Sequence, residues 1–173
     1  MTAPSLSISD FSKFRKAGVK GPAAAAWLQR NGIAVPSAVN TWTSLPGGAL
    51  IGRLGETEFF LEDGGDPGPA TKLIPLLDEP PAGVYPVPRE DSCFALTGSD
   101  IHEVLLQVCS VDFESSKAEG ALFMTSMVGV SVLAIPQKLD GVPMMKIWAD
   151  PTFGPYLWHT LSKIIQELTG GSQ

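Results

Sequence analysis

The most regular pattern of apolar residues lies in the second half of the chain. Four apolar residues between Ile101 and Val108 recur at i, i+3, i+4 and i+7, which predicts an amphipathic helix with its apolar stripe toward a sheet. The apolar run 93–97 before it predicts a strand, and Gly98-Ser99-Asp100 has the composition of a turn with a helix-capping side chain. Three later apolar stretches predict further strands: 122–128, 130–135 and 142–148.

The first half carries a weaker version of the same pattern. Apolar residues among Lys and Arg over 11–19 predict a half-exposed strand. Gly21-Pro22 then begins a helix that ends at Arg30, because Pro suits the first helical turn and Asn31-Gly32 suits a helix end. The remaining predicted elements of this half are a hairpin (49–54 and 58–62) and a short helix (71–77).

A last helix is predicted to begin at Asp150-Pro151, with Asp150 as its cap, and to end at Gly170-Gly171. Its predicted packed face consists of large side chains at helical spacing: Phe153, Tyr156, Leu157, Leu161, Ile164 and Leu168. Three bulky residues stand consecutively in Tyr156-Leu157-Trp158, and they cannot all share one face of a helix. At least one of them is therefore expected to meet solvent, a ligand or another chain.

The two halves echo each other at an offset of 77 residues, which relates Gly21 to Gly98. In each half a strand, a glycine turn and a helix precede a hairpin, so we predict a twice-used β-α-β-β unit. The predicted class is α+β, with mostly antiparallel sheets and helices packed on one face. We expect a loose N-terminal arm over 1–12 and a single domain over 13–173, with halves 13–80 and 84–170 joined by a hinge that contains Pro80-Pro81.

Composition narrows the functional classes. The chain has 173 residues, of which 44% are hydrophobic and 17% charged, enough apolar surface for a buried core. The net charge of −6 disfavours nucleic acid as a partner. No apolar run is long enough to span a membrane, no secretion signal is recognisable, and Cys93 and Cys109 are expected to be reduced, so we predict a cytoplasmic protein without a membrane partner.

Charge is distributed unevenly along the chain. Residues 1–55 carry six basic side chains and one acidic, whereas residues 56–173 carry six basic and seventeen acidic. This uneven charge has two explanations: the protein has two differently solvated faces, or its charges match those of partner subunits.

Residues suited to chemistry are few. His102 and His159 lack the neighbours of a metal or general-base site, and the carboxylates Glu56, Glu58, Glu62 and Asp63 are explained by a solvated hairpin face. We therefore predict no catalytic, cofactor-binding or metal-binding residue. Aromatic residues suggest a role in binding a partner, since Trp and Tyr are common interface anchors. Trp42, Tyr156 and Trp158 are the candidates for contact with a partner.

Several short motifs, in this order and spacing, resemble the gamma subunit family of heterotetrameric sarcosine oxidases. The resemblance covers about residues 14–165. Its motifs are Lys20-Gly21-Pro22 with Trp27-Leu28, Asn40, Gly52-Arg53-Leu54-Gly55 with Glu58-Phe59, Ala95-Leu96-Thr97-Gly98-Ser99-Asp100 with Leu105, Cys109-Ser110-Val111-Asp112, and Tyr156-Leu157-Trp158 with Leu161.

The resemblance implies the α+β fold of the folate-binding aminomethyltransferase (glycine-cleavage T-protein) superfamily, in particular its N-terminal part. It also implies a non-catalytic accessory subunit of a complex that oxidatively demethylates sarcosine or another N-methyl amine, with tetrahydrofolate as the one-carbon acceptor. FAD, FMN, NAD and tetrahydrofolate would be held by larger alpha and beta flavoprotein subunits, with or without a small delta subunit, and this chain would hold no cofactor itself.

This chain departs from the family pattern at three places. Glu56-Thr57 stands where a Pro-Asp pair is usual, the loop after Cys109 reads Ser-Val-Asp-Phe rather than Pro-Leu-Asp-Leu, and 127–133 lacks the carboxylate that would contact a pterin. The alternatives are an autonomous folate-binding aminomethyl or methyl transferase-like protein, and a free-standing interaction domain.

Overall fold

The computed structural model of the chain describes residues 6–113 and 120–170. The described residues form two compact units. The N-terminal unit contains Phe14–Glu90 and Gly120–Leu122, and the C-terminal unit contains the described residues of Met1–Lys13, Asp91–Glu119 and Phe123–Gln173. Each unit is built on one five-stranded antiparallel sheet, which confirms the predicted α+β class.

The elements are, in chain order, β1 (Ser7–Asp10), β2 (Lys16–Lys20), α1 (Ala24–Arg30), β3 (Thr41–Ser44), β4 (Leu50–Gly55), β5 (Glu58–Glu62), α2 (Pro69–Leu73), β6 (Tyr85–Val87), β7 (Ser92–Thr97), α3 (Ile101–Val108), β8 (Phe123–Met127), β9 (Val130–Leu139), β10 (Val142–Ala149) and α4 (Gly154–Gly170). Short 3₁₀ turns occupy Pro46–Gly48, Ile74–Leu77 and Pro151–Phe153.

The two sheets have the same strand order. In the N-terminal unit the order is β3-β4-β5-β2-β6, and in the C-terminal unit it is β8-β9-β10-β7-β1. In each unit a first strand (β2 or β7) is followed by a helix and then by a three-stranded meander, whose last strand pairs with the first strand. The predicted repeat is present. In each copy the meander has three strands where the β-α-β-β unit has two, and the extra strand is β3 in the N-terminal unit and β8 in the C-terminal unit. The sequence predicts a strand at β8 but not at β3.

The fifth strand of each sheet comes from the other half of the sequence. β1 precedes β2 in the chain but pairs with β7, from Ser7 opposite Thr97 to Asp10 opposite Phe94. β6 precedes β7 but pairs with β2, from Gly18 opposite Val87 to Lys20 opposite Tyr85. The chain thus has two equivalent segments, β1-β2-α1-β3-β4-β5-α2 and β6-β7-α3-β8-β9-β10-α4, which exchange the strands β1 and β6 that precede the first strands β2 and β7.

This exchange corrects two expectations. The predicted loose arm over 1–12 is wrong for Ser7–Asp10, which forms a strand because Leu6 and Ile8 pack into the core of the C-terminal unit. The boundary between the units falls after Glu90 rather than at the predicted hinge, because β6 completes the N-terminal sheet.

The glycines that mark the repeat occupy equivalent positions. Gly21 has φ +119° and Gly98 has φ +146°, both at the residue after the first strand of a copy. The backbone N–H of Gly21 donates to Thr57 O at 3.0 Å, and that of Gly98 donates to Pro143 O at 3.0 Å. Each glycine thus ties the turn before the helix to the last hairpin of its own sheet, in a backbone conformation that other residues rarely adopt.

Helices cover one face of each sheet. In the N-terminal unit, Ala24, Trp27 and Leu28 of α1 are buried against Val19, Phe59 and Leu61 of the strands. In the C-terminal unit, the predicted stripe of α3 is buried with Phe94 and Leu96 of β7.

The predicted packed face of α4 is partly wrong. Its buried residues are Gly154, Leu157, Leu161 and Ile165, whereas Phe153 and Tyr156 are exposed. Gly154 lets the start of α4 approach β7 closely, because a Cβ at its position would collide with the side chain of Ser92. Within 6–113 and 120–170, no helix has the length and apolar character needed to cross a membrane.

Asp150 caps the turn that leads into α4, as predicted. Its Oδ1 accepts hydrogen bonds from the backbone N–H of Thr152 at 2.8 Å and from Thr152 Oγ1 at 2.6 Å. The side-chain and backbone hydrogen bonds from Thr152 lower the pKa of Asp150 below its ordinary value of 3.8. They do so because both stabilise the ionised carboxylate.

We expect Gly21→Ala to lower the free energy of unfolding by about 2–4 kcal/mol. The new Cβ would be strained at φ +119° and would collide with Gly83 O. Gly32→Ala is the matched control, since Gly32 has φ +77° with open space around it, and should cost about 1 kcal/mol. Urea unfolding measures both, and equal losses would contradict the close approach at Gly21.

We expect the stabilisation from Asp150 to depend on pH. Its pKa is lower in the folded than in the unfolded chain, so its contribution is complete above 3.8 and is lost as the pH falls through the folded pKa. The difference in unfolding free energy between the natural chain and Asp150→Ala should therefore shrink on acidification. Thr152→Ala should flatten the same pH dependence, and an unchanged difference across the acidic range would refute the assignment.

Candidate functional site

An open cavity of about 560 Å³ lies in the N-terminal unit. It is bounded by the end of α1, the 3₁₀ turn at Pro46–Gly48, the loop before α2, and α2 itself. Its lining is mostly apolar and includes Ile33, Leu45 and Leu73. The volume falls within the range of small-molecule pockets, so this cavity is a candidate binding site.

One buried carboxylate organises the loop wall of this cavity. Asp63, 2% exposed, accepts hydrogen bonds from the backbone N–H groups of Gly68 (3.0 Å), Ala70 (2.8 Å) and Thr71 (3.0 Å). Thr71 Oγ1 donates a fourth, at 2.6 Å. These bonds fix the chain between β5 and α2 and satisfy N–H groups at the start of the short helix.

Asp63 and Glu62 correct the expectation of a solvated acidic hairpin. Glu62 is 1% exposed, and its Oε2 lies 3.6 Å from the Nζ of the equally buried Lys16. Only Glu56 and Glu58 behave as expected, in exposed or half-exposed pairs with Arg53 and Arg89. The missed signal was an acidic residue that follows a strand and precedes a Gly/Pro loop and a helix that begins with Pro.

Charged groups of opposite sign stand at the rim of the cavity. Asp66 and Lys72 both line it and are both exposed. Neither forms an ion pair with another residue of 6–113 or 120–170. The cavity therefore offers an apolar wall with one anionic and one cationic side chain, an arrangement that can bind an organic molecule or an apolar segment of a partner.

Tyr156 and Trp158 flank the buried Leu157 in the first half of α4. Tyr156 is 50% exposed, and its hydroxyl donates to Val128 O at 3.1 Å, in the turn between β8 and β9. Trp158 is 37% exposed, and its ring centroid lies 5.4 Å from that of the buried Phe94. Because they lie two residues apart on a helix, the two rings do not share one face, and each is supported by its own contact.

Trp42 lies apart from these two residues, on β3 of the N-terminal unit, and its side chain is half-buried. Its backbone N–H donates to Gly120 O at 2.8 Å, in the segment that joins the outer side of β3. Its indole Nε1 is buried and has no hydrogen-bond partner in the described part of the chain. Of the three predicted contact residues, Tyr156 and Trp158 lie on α4 of the C-terminal unit and Trp42 lies in the N-terminal unit.

The histidines and cysteines are not gathered into a centre. His102 Nε2 lies 3.0 Å from Glu103 Oε1 on the exposed side of α3, and His159 is exposed on α4. Cys93 is buried and Cys109 half-buried, and both are free thiols. Among the residues that the structure describes, no group of three or more His, Cys, Asp or Glu side chains is placed to hold a metal ion.

No protein-family model matches the sequence, and no curated protein matches it. Solved structures do match. One is a chain of the heterotetrameric sarcosine oxidase from Corynebacterium sp. U-96 in complex with pyrrole 2-carboxylate, with a TM-score of 0.75 and 21% identity over 95% of this chain and 87% of that chain. Another is the glycine cleavage system aminomethyltransferase T from Bartonella henselae, with a TM-score of 0.67 and 16% identity.

The chain has the fold of one part of a glycine-cleavage aminomethyltransferase. The predicted likeness to the T-protein superfamily and to a sarcosine oxidase chain is thereby confirmed at the level of fold. The match covers 92% of this chain but only 46% of the aminomethyltransferase chain, so the two five-stranded units correspond to less than half of that enzyme.

We expect Asp63→Ala to lower the free energy of unfolding by about 2–4 kcal/mol, because several buried N–H groups lose their acceptor. Asp63→Asn should lose less, since its amide oxygen still accepts. Asp66→Ala is the control in the same loop and should change stability by less than about 0.5 kcal/mol, because its side chain is exposed. Urea unfolding of the three variants checks the order, and similar losses for Asp63→Ala and Asp66→Ala would contradict it.

Proposed function

We propose that the chain is a non-catalytic accessory subunit of a sarcosine oxidase-like flavoprotein complex in the cytoplasm. The observation that carries this proposal is how much of each matched chain the alignment covers. The match spans 95% of this chain and 87% of a chain from a heterotetrameric enzyme, but only 46% of an aminomethyltransferase chain. The likeness is thus to nearly a whole chain of a multi-subunit oxidase and to only part of a transferase chain.

In this proposal the chemistry belongs to larger partners. Alpha and beta flavoprotein subunits would hold FAD, FMN, NAD and tetrahydrofolate and would demethylate sarcosine or another N-methyl amine. A small delta subunit would complete the heterotetramer where one is present. This chain would contribute by binding the folded state of its partners, which raises their stability through mass action.

Aromatic residues are the proposed contacts. Tyr156 and Trp158 combine large exposed rings with support from Val128 O and the Phe94 ring, so little side-chain freedom is lost when a partner binds. Trp42 is the third proposed contact, on the N-terminal unit. The surplus of acidic residues after residue 55 would favour a basic surface on the partner.

The test is to purify the tagged chain from its native host and to characterise the complex that accompanies it. We expect stoichiometric recovery of larger subunits with a flavin absorbance spectrum and with hydrogen peroxide formation that depends on sarcosine or another N-methyl amine. Tyr156→Ala with Trp158→Ala should weaken association by about tenfold or more. Leu106→Ala, which removes an exposed apolar side chain from α3, should leave association unchanged.

Two results would overturn the proposal. The first is recovery of the chain without a flavoprotein. The second is low-micromolar binding of tetrahydrofolate by the isolated chain in titration calorimetry, together with transfer of a one-carbon unit, which would instead establish an autonomous folate-dependent transferase. Tyr156→Phe separates the role of the ring from that of the hydroxyl, because it keeps the ring and removes only the bond to Val128 O.

A further inference from the structure

We propose that the two sequence halves recognise each other as a pair of binding modules, so that they stay assembled when the covalent link between them is cut after Glu79. This inference does not depend on the accessory-subunit proposal. It follows from strand exchange, since each half supplies backbone segments that complete the sheet of the other. The partner surface of each half is therefore an open sheet edge, and the segment that fits it is an extended strand of the other half.

The first exchanged segment is β1, which belongs to the first half and completes the C-terminal sheet. Four residue pairs join it to β7. The backbone N–H of Phe11 donates to Cys93 O at 2.8 Å, and the N–H of Cys93 donates to Ser12 Oγ at 3.0 Å, which extends the contact beyond the strand. Leu6 is 7% exposed and packs with Ile8 into the core of the C-terminal unit.

The second exchanged segment is β6, which belongs to the second half and completes the N-terminal sheet through three residue pairs with β2. Its fit is close, because a Cβ on Gly18 would lie 2.6 Å from Val87 O. The residues just before β6 add a further bond, since the backbone N–H of Ala23 donates to Gly83 O at 3.0 Å.

A third segment, Gly120–Leu122, reaches from the second half to the outer side of β3. Thr41 is paired with Ala121, and the N–H of Leu122 donates to Asn40 O at 2.9 Å. Leu122 is 3% exposed and fills the space above Gly52, where a Cβ would lie 2.6 Å from its Cδ1 atom. Three separate backbone segments, each belonging to one half, therefore pair with the other half, and each of these pairings lies within one compact unit.

The segment that joins the two halves lies outside the exchanged strands. Asp78 and Glu79 are exposed, and they lie between the 3₁₀ turn at Ile74–Leu77 and β6. The test inserts a protease recognition sequence after Glu79 in the full chain, which is purified folded and then cut. We expect the pieces, 1–79 and 80–173 apart from the insert, to elute together at the size of the uncut chain and to separate only in denaturant.

Matched substitutions test whether the exchanged strands hold the two cut pieces together. Ile8→Asp places a charge in the apolar contact of β1 and should raise the dissociation constant of the cut pieces by about tenfold or more. Ser9→Asp, on the exposed side of the same strand, should change it by less than about twofold. Gly18→Ala should displace β6 and weaken the pair, whereas Gly55→Ala should not, because its Cβ would meet Glu58 at an ordinary 3.7 Å.

Circular dichroism of each uncut variant first establishes that it is folded. Separation of the natural pieces at micromolar concentration without denaturant would overturn the proposal. So would co-elution that responds equally to Ile8→Asp and Ser9→Asp, since the halves would then be held by something other than the exchanged strands.

Discussion

Backbone pairing at the edge of a sheet is the constraint on which this structure depends. A strand at an edge has N–H and C=O groups that need hydrogen-bond partners. A single short repeat buries too little apolar surface to offset the cost of leaving those groups unpaired. Here each repeat leaves the edge of its first strand open, and the other repeat fills it, with β1 on β7 and β6 on β2. Neither repeat has a complete five-stranded sheet without a segment of the other.

The sequence predicts the elements that are stabilised locally. α3 has a complete apolar stripe, β4 and β5 form a tight hairpin, and the two glycines after the first strands mark the repeat at the correct offset. In these cases periodicity or a turn residue carries the information. Such signals act over a few residues, so they can be recognised without knowledge of the rest of the fold.

The exchanged strands could not be predicted in the same way. β1 has the sequence Ser-Ile-Ser-Asp, with one apolar residue, and its partner lies about ninety residues away in the chain. β6 contains Pro86, which argues against a central strand and is tolerated here because β6 is an edge. Asp63 was misjudged for a related reason: its charge suggested solvent, and only the loop that folds back over it shows that it is buried.

The two copies differ most in the helix that follows the meander. In the C-terminal unit this helix is α4, with 17 residues, and its buried face extends the core to Ile165. In the N-terminal unit the equivalent α2 has only 5 residues, and the cavity opens beside it. The same position in the repeat is thus used in two ways: in one unit a long helix enlarges the core, and in the other a short helix leaves a concave surface whose lining can change without altering the sheet beneath it.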